Sequence, residues 1–107
     1  MTTHLSRADV LTDAPARYAK QLVSHLGRKV AFVTDGPTST ATVNDMTLAI
    51  TVADAVLTLT VTGSDPTAVA RGEHVLGSHL ERFGARRDLK VTWTRTTTTS
   101  VGEGARR

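Results

Sequence analysis

The stretch SDPTAVARGEHVLGSHLERFG, residues 64–84, predicts a long amphipathic helix against which the rest of the chain must pack. Asp65 can accept a hydrogen bond from a first-turn N–H, and Pro66 suits the first helical position, where its missing N–H costs nothing. Gly84 can adopt the left-handed conformation that closes a helix. Apolar residues recur at helical spacing along one face: Val69, Gly72, Leu76, Leu80 and Phe83. The opposite side carries Arg71, His74, Ser78 and Glu81.

A second amphipathic helix is predicted near the start of the chain by the same pattern of cap and proline. Asp13 is the candidate cap, Pro15 opens the helix and Gly27 ends it. The face toward the core carries Tyr18, Leu22, His25 and Leu26. Alternating apolar residues, separated by turn pairs such as Asn44-Asp45, predict strands at 5–12, 29–34, 40–43, 46–52, 55–62 and 89–95.

The predicted order of elements is therefore β-α-β-β-β-β-α-β. Four consecutive strands joined by short turns must pair antiparallel, and their alternation gives the sheet one buried and one wet face. Two amphipathic helices are available to cover the buried face. We expect an α+β fold, a two-layer sandwich with one mostly antiparallel sheet and both helices on one face. Residues 1–95 form a single α+β domain in this interpretation, and the Thr/Gly/Arg tail at 96–107 is predicted to be disordered.

The composition excludes several classes of function. A chain of 107 residues without cysteine has no disulfides, no thiol catalysis and no cysteine-based zinc site. The first residues lack the apolar segment of a signal peptide, and no apolar run is long enough to span a membrane, so we expect a cytoplasmic protein. The net charge of +3 is a small surplus of 13 basic over 10 acidic residues. It is spread along the chain without interleaved aromatic residues, which argues against nucleic-acid binding.

Two histidines are the first candidates for chemistry. His25 and His79 each lie on or beside a core-facing stripe, so their rings converge if the two helices pack side by side. A metal site or acid–base chemistry would then be open to them, although no carboxylate is placed to supply a third metal ligand. A buried neutral imidazole bonded to a backbone carbonyl is the simpler explanation of both residues.

Other polar residues suggest weaker sites. Arg7, Arg17 and Lys20 can bind an anion, since Arg17 lies near the positive end of a helix dipole. The row His74, Ser78 and Glu81 has the residue types of a catalytic triad. A serine in mid-helix, however, lacks the strained backbone and oxyanion donors that nucleophilic catalysis needs, so no catalytic residue is predicted.

Threonine dominates the strand positions that alternate with the apolar ones. These residues suit an exposed strand surface through their β-propensity, or they form a flat surface for dimerisation or for a partner protein. They are Thr40, Thr42, Thr47, Thr51, Thr58, Thr60, Thr62, Thr92 and Thr94.

Four short motifs together resemble a known family. They are SRA at 6–8, PARYAKQL at 15–22 with His25, HLERF at 79–83 and VTW at 91–93. The chain resembles the bacterial domain of unknown function 2218 family over residues 4–95. The family has no assigned activity, but similar domains precede the flavin-dependent reductase part of some siderophore-interacting proteins. The resemblance therefore implies iron or ferric siderophore handling, with a siderophore-reductase-type protein as a partner.

Three hypotheses follow. The first is a non-catalytic, ligand- or partner-binding accessory protein, dimeric and linked to iron–siderophore handling, whose ligand contacts are Arg7, Arg17, Tyr18, His25 and His79. The second is a small metal-binding protein or acid–base enzyme that uses His25 and His79. The third is a purely structural dimerisation or docking domain. No cofactor is predicted from the residues, and the family resemblance leaves iron or a ferric siderophore open.

Overall fold

Six antiparallel strands and two helices make up the structure, a computed structural model that describes residues 2–43, 46–85 and 89–99. The elements are β1 (Thr2–Leu11), α1 (Pro15–Leu26), β2 (Val33–Asp35), β3 (Thr38–Val43), β4 (Met46–Ala53), β5 (Val56–Gly63), α2 (Pro66–Phe83) and β6 (Thr94–Thr99). The strand order in the sheet is β2-β3-β4-β5-β1-β6, and every neighbouring pair is antiparallel. This confirms the predicted α+β class and antiparallel sheet. The turn predicted at 44–45 lies outside the described residues.

Strict alternation along the central strands separates the two faces of the sheet. Leu59 of β5 pairs with Ile50 of β4 on one side and with Ala8 of β1 on the other, and all three side chains are buried. Both helices pack on this face and complete one hydrophobic core. The other face carries the threonines of β3, β4 and β5, which are mostly half-buried. No helix in the described part of the chain is long and apolar enough to cross a membrane.

The start of helix α2 forms as the sequence predicts, whereas the predicted left-handed conformation of Gly84 is wrong, because this residue ends the helix with a φ of −97°. The Asp65 carboxylate accepts a hydrogen bond of 2.8 Å from the Ala68 N–H, and Pro66 occupies the first turn. Gly72 faces the sheet at close range, since a Cβ atom there would lie 2.5 Å from a Val61 methyl and 2.9 Å from the Met46 sulfur. The absence of a side chain at this position therefore lets the helix approach β4 and β5.

Helix α1 begins differently from the prediction. Its N-cap is Ala14 rather than Asp13, and the Ala14 side chain makes no capping hydrogen bond. The Thr12 hydroxyl accepts a hydrogen bond of 3.1 Å from the Ala14 N–H, which directs the chain from β1 into the helix.

The predicted strand at 29–34 is also wrong at its start, because the N–H groups of Lys29 and Val30 both bond to the Leu26 carbonyl and extend the helix end as a turn. Strand β2 consequently begins at Val33.

The prediction of a last strand at 89–95 is wrong for most of its length. Val91 and Trp93 do alternate, but they lie on α2 instead of in the sheet. The Val91 N–H donates to the Glu81 carboxylate at 3.0 Å, and a Cβ atom on Gly77 would lie 3.2 Å from the Trp93 indole nitrogen. We call residues 89–93 the strap, because this extended segment crosses α2 on its way back to the sheet.

The sixth strand is formed instead by Thr94–Thr99, which pairs with β1. The prediction of disorder is therefore wrong for residues 96–99, and 100–107 lie outside the described residues. The tail lacks an apolar pattern, but β-branched threonine suits a strand, and the edge of β1 offers its backbone groups as partners.

A polar cluster with a buried centre and a half-exposed arginine joins β1, α2 and β6. Ser6 is fully buried on the helix-covered face, and its hydroxyl donates to Oε2 of Glu73 at 2.5 Å. Arg95 donates to both oxygens of the same carboxylate, at 2.9 Å from Nε and 2.7 Å from Nη2. The Arg95 hydrogen bond, followed by that from Ser6, holds the pKa of Glu73 below its ordinary value despite partial burial. The cluster thereby fixes β6 at the edge of the sheet.

Gly72→Ala should destabilise the protein although alanine favours helices by about 1 kcal/mol. The added methyl collides with the stiff Val61 side chain, and overpacking of this kind costs about 1–3 kcal/mol. Urea unfolding measures the difference. Gly77→Ala is the matched control in the same helix, because its nearest neighbour is 3.2 Å away on the strap. Equal stability of the two variants would contradict the assigned close contact.

Glu73→Ala should lower the free energy of unfolding by about 1–3 kcal/mol at neutral pH, because the buried Ser6 hydroxyl loses its acceptor. The folded-state pKa of Glu73 is depressed, so its contribution is present above the ordinary value of 4.5 and is lost as the pH falls below it. The difference in the free energy of unfolding between wild type and variant should therefore become smaller in acid. The loss should also be smaller in a Ser6→Ala background. A difference in unfolding free energy that does not change with pH would contradict the role of the ionised Glu73 carboxylate.

Candidate functional site

The two histidines singled out in the sequence meet where α1 and α2 lie side by side. The ring centroids of His25 and His79 are 4.8 Å apart, and the ring planes are tilted by 47°. Phe83 approaches His25 edge-on, with a centroid distance of 5.7 Å and an angle of 78°. The structure thus brings together two imidazoles and one phenyl ring at the border between core and solvent.

Equivalent positions on the two helices explain this convergence. His25 precedes the buried Leu26 by one residue and follows the buried Leu22 by three. His79 stands in the same relation to Leu80 and to Leu76, which are also buried. Each histidine consequently lies at the rim of its helix's buried face, and packing of the helices turns the two rims toward each other.

The two rings differ in environment. His79 is half-buried, and its Nδ1 donates to the Val75 carbonyl at 2.6 Å, which leaves Nε2 as the nitrogen directed elsewhere. His25 is exposed, and its pKa is held below the ordinary value by partial desolvation, then by His79 and by the charges of Arg28, Arg82 and Lys29. One imidazole therefore has a structural bond, and the other is accessible in a positively charged setting.

An open groove of about 410 Å³ runs beside His25, and we call it the basic groove. Its lining consists of Arg17, Lys20, Gln21, Ser24, His25, Arg28 and Phe83. The residues from 17 to 28 recur every three or four positions and so form one stripe along α1 and the turn after it. Among the residues that the structure describes, no carboxylate belongs to this lining.

The cations of the basic groove have no ion-pair partner among residues 2–43, 46–85 and 89–99. In contrast, Arg7 is 3.2 Å from the Asp9 carboxylate and Arg95 is bonded to Glu73. The groove therefore collects positive charge that the described part of the fold does not neutralise.

The remaining predicted ligand contacts lie elsewhere. Tyr18 is buried in the hydrophobic core and does not line the groove. Arg7 projects from the face of the sheet that the helices leave open, because it alternates with the buried Ser6 and Ala8. The structure thus places Arg17 with His25 in the basic groove, brings His79 against His25, and separates Tyr18 and Arg7 from them.

Sequence reasoning missed four members of the groove, since it assigned Gln21 and Ser24 only to the solvent side of α1. Arg28 falls beyond the predicted helix end, and Phe83 counted as a core residue. The positions 17, 21, 24 and 28 nevertheless share a stripe, and this spacing is readable from the sequence.

The electrostatics of the site favour an anion over a metal cation. No group of three or more histidine or acidic side chains within the described ranges is arranged to hold a metal ion. Two imidazoles alone would have to bind a divalent cation among several arginine and lysine side chains, and like charges repel at these distances. An anion placed in the basic groove would instead be attracted by every charged neighbour of His25.

An NMR titration of His25 tests the electrostatic environment. The midpoint should lie below the ordinary pKa of 6.5, and Arg28→Gln should raise it because one repelling charge disappears. Arg71→Gln, an exposed change on the far side of α2, is the matched control and should leave the midpoint where it is. The folded-state pKa is depressed, so His25 lowers stability as the pH falls below 6.5, and His25→Gln should be less sensitive to acid. A midpoint above 6.5 would contradict the assigned environment.

Comparison with solved structures shows the same fold in a bacterial protein. PA4090 from Pseudomonas aeruginosa, whose structure was solved by NMR, superposes with a TM-score of 0.70 at 21% sequence identity. The match covers 88% of this chain and 96% of that one. A comparison with curated proteins finds no match.

A family model matches residues 7–94, a range that includes both helices, the paired histidines and the whole basic groove. Its description is "Uncharacterized protein conserved in bacteria (DUF2218)". Because the match spans most of the chain, the protein belongs to the bacterial DUF2218 family of uncharacterised proteins.

Proposed function

We propose that the protein is a non-catalytic binding domain that holds a small anion in the basic groove. One observation supports this most directly: Arg17, Lys20 and Arg28 line the same groove as the accessible His25, and none of them has a carboxylate partner in the described structure. Arginine side chains bind carboxylate and phosphate groups with two parallel hydrogen bonds, and such charge-assisted bonds are the strong ones in proteins.

The charge pattern gives anion binding an energetic basis. Like charges spaced three or four residues apart on one helix face repel and destabilise the free protein slightly. A bound anion relieves that repulsion and favours the protonated form of His25. Binding should therefore tighten as the pH falls, since His25 becomes charged only below its depressed pKa.

A more specific version of this proposal is that the bound anion takes part in iron–siderophore handling. Ferric complexes of catecholate and carboxylate siderophores are anionic, so they fall within the class of ligand that the groove attracts. A siderophore-reductase-type partner and a cytoplasmic location extend the same hypothesis. Their basis is the family resemblance rather than a contact in the structure.

A two-histidine metal site is the second candidate, favoured by the ring separation of 4.8 Å. Exogenous ligands would have to complete the coordination. Zinc or nickel ions should then raise the melting temperature, and either His25→Gln or His79→Gln should abolish the effect. The positive surroundings of His25 make this the weaker of the two proposals.

The open face of the sheet supports the third hypothesis, a docking or dimerisation role. Val33 and Leu11 on this face are 70% and 76% exposed. A cross-strand hydrogen bond of 3.1 Å joins the hydroxyls of Thr38 and Thr51, so part of the face is already satisfied internally. Sedimentation analysis that finds a monomer at high concentration would exclude the homodimer.

Calorimetric titration with phosphate, citrate and a ferric catecholate siderophore tests the main proposal. The Arg17→Gln/Arg28→Gln double variant should weaken binding at least about tenfold, because each charge-assisted hydrogen bond contributes about 1.5–3 kcal/mol. Arg71→Gln again serves as the control and should bind as wild type does. Affinity should rise as the pH falls toward the pKa of His25. Unchanged binding in the double variant, or no heat with any anion, would overturn the proposal.

A further inference from the structure

A second groove lies on the other side of the exposed ridge of α1. It occupies about 350 Å³ between α1 and the hairpin of β2 and β3, and we call it the apolar groove. Its lining consists of Ala16, Ala19, Lys20, Val23, Ser24, Thr34, Gly36, Ser39 and Val52. Lys20 and Ser24 line both grooves, so the two are neighbours separated only by these side chains.

The lining of the apolar groove is suited to contact a hydrocarbon group. Ala16, Val23 and Val52 contribute aliphatic carbon, and Lys20 is the one charged side chain of the lining. The hydroxyls of Thr34 and Ser39 bond to each other at 2.9 Å, so the polar atoms there already have partners. A nonpolar group that covers these two hydroxyls would therefore be buried favourably, because it would not remove water from a donor or acceptor that lacks another partner.

The backbone keeps this groove accessible. Strand β2 has only three residues, all of them exposed, and the hairpin turns at Gly36 with a φ of 60°. A Cβ atom at Gly36 would meet no other atom within 4 Å, so the turn lies clear of its neighbours. The edge hairpin thus leaves one side of α1 uncovered.

Ser24 forms a notch in the ridge between the two grooves. It lies four residues after Lys20 and four before Arg28, and its side chain is the smallest of the three. Lys20 and Arg28 are eight residues apart, about 12 Å at the helical rise of about 1.5 Å per residue, and this separation leaves room for a single hydrocarbon chain to pass over the notch.

We infer that the ligand of the basic groove is an amphipathic anion, with its charged head at Arg17 and Arg28 and an unbranched apolar tail that crosses the Ser24 notch into the apolar groove. This rests on the proposed anion binding and specifies its ligand class. Medium-chain carboxylates and alkyl phosphates share the required chemistry, a compact anionic head on a flexible hydrocarbon chain. Small ions such as phosphate would occupy the head position alone.

Calorimetric titration with carboxylates from acetate through hexanoate to decanoate, below their micelle concentrations, tests the inference. Affinity should rise about fourfold for each methylene that reaches the apolar groove and then level off. A parallel series of alkyl phosphates identifies the preferred head group. Alkyl amines with the same tails should not bind.

Ala16→Phe is the decisive variant, because Ala16 is exposed and lines only the apolar groove. It should abolish the dependence on chain length while acetate and phosphate bind as before. Ala70→Phe makes the same change at an exposed position of α2 and should have no effect. The Arg17→Gln/Arg28→Gln variant should weaken every member of the series by a similar factor.

The outcomes separate the inference from the proposal beneath it. Equal affinity for short and long chains, with binding still lost in the double arginine variant, would overturn the amphipathic ligand and leave anion binding standing. Equal binding of amines and carboxylates would also overturn it. Failure of every anion to bind would overturn the proposed function and this inference together.

Discussion

The close approach of α2 to the sheet is the constraint on which the rest of the structure depends. At Gly72 the helix has no side chain, and the Val61 methyl and Met46 sulfur occupy the space that a Cβ atom would need. This contact fixes the height of α2 above β4 and β5. Because α1 packs beside α2 on the same face, it also fixes how the two helices meet. The juxtaposition of His25 with His79 is a consequence of that depth.

Charge is distributed over this framework in two different ways. Where the fold needs an arginine for its own stability, a carboxylate is supplied, as in the bonds between Arg95 and Glu73. Along the outer stripe of α1 no such partner is present in the described structure. These cations lie on the exposed side of α1 beside an accessible imidazole, and they are the charges on which the proposed anion binding depends.

Local patterns predicted most of the fold and half of the site. The Asp65 cap and Pro66 marked α2 correctly, because capping depends on a few adjacent residues. The convergence of the histidines was also foreseeable from two helices with equivalent stripes. Alternation could not distinguish a strand from the strap, since an extended segment alternates whether its backbone bonds to a strand or to the Glu81 side chain. The basic groove could not be predicted from local patterns, because the placement of Arg28 in the turn after α1 and the position of Phe83 relative to His25 depend on tertiary packing.

The strap gives the molecule a built-in optical reporter. Trp93 is the single tryptophan of the chain, and it lies half-buried against α2 at Gly77. The single tyrosine, Tyr18, is buried in the core beneath α1. Tryptophan emission therefore senses whether residues 89–93 lie on the helix, whereas tyrosine emission senses the central packing. Selective excitation of tryptophan therefore follows this segment in the unmodified protein, and a separate measure of global unfolding shows whether the segment detaches first.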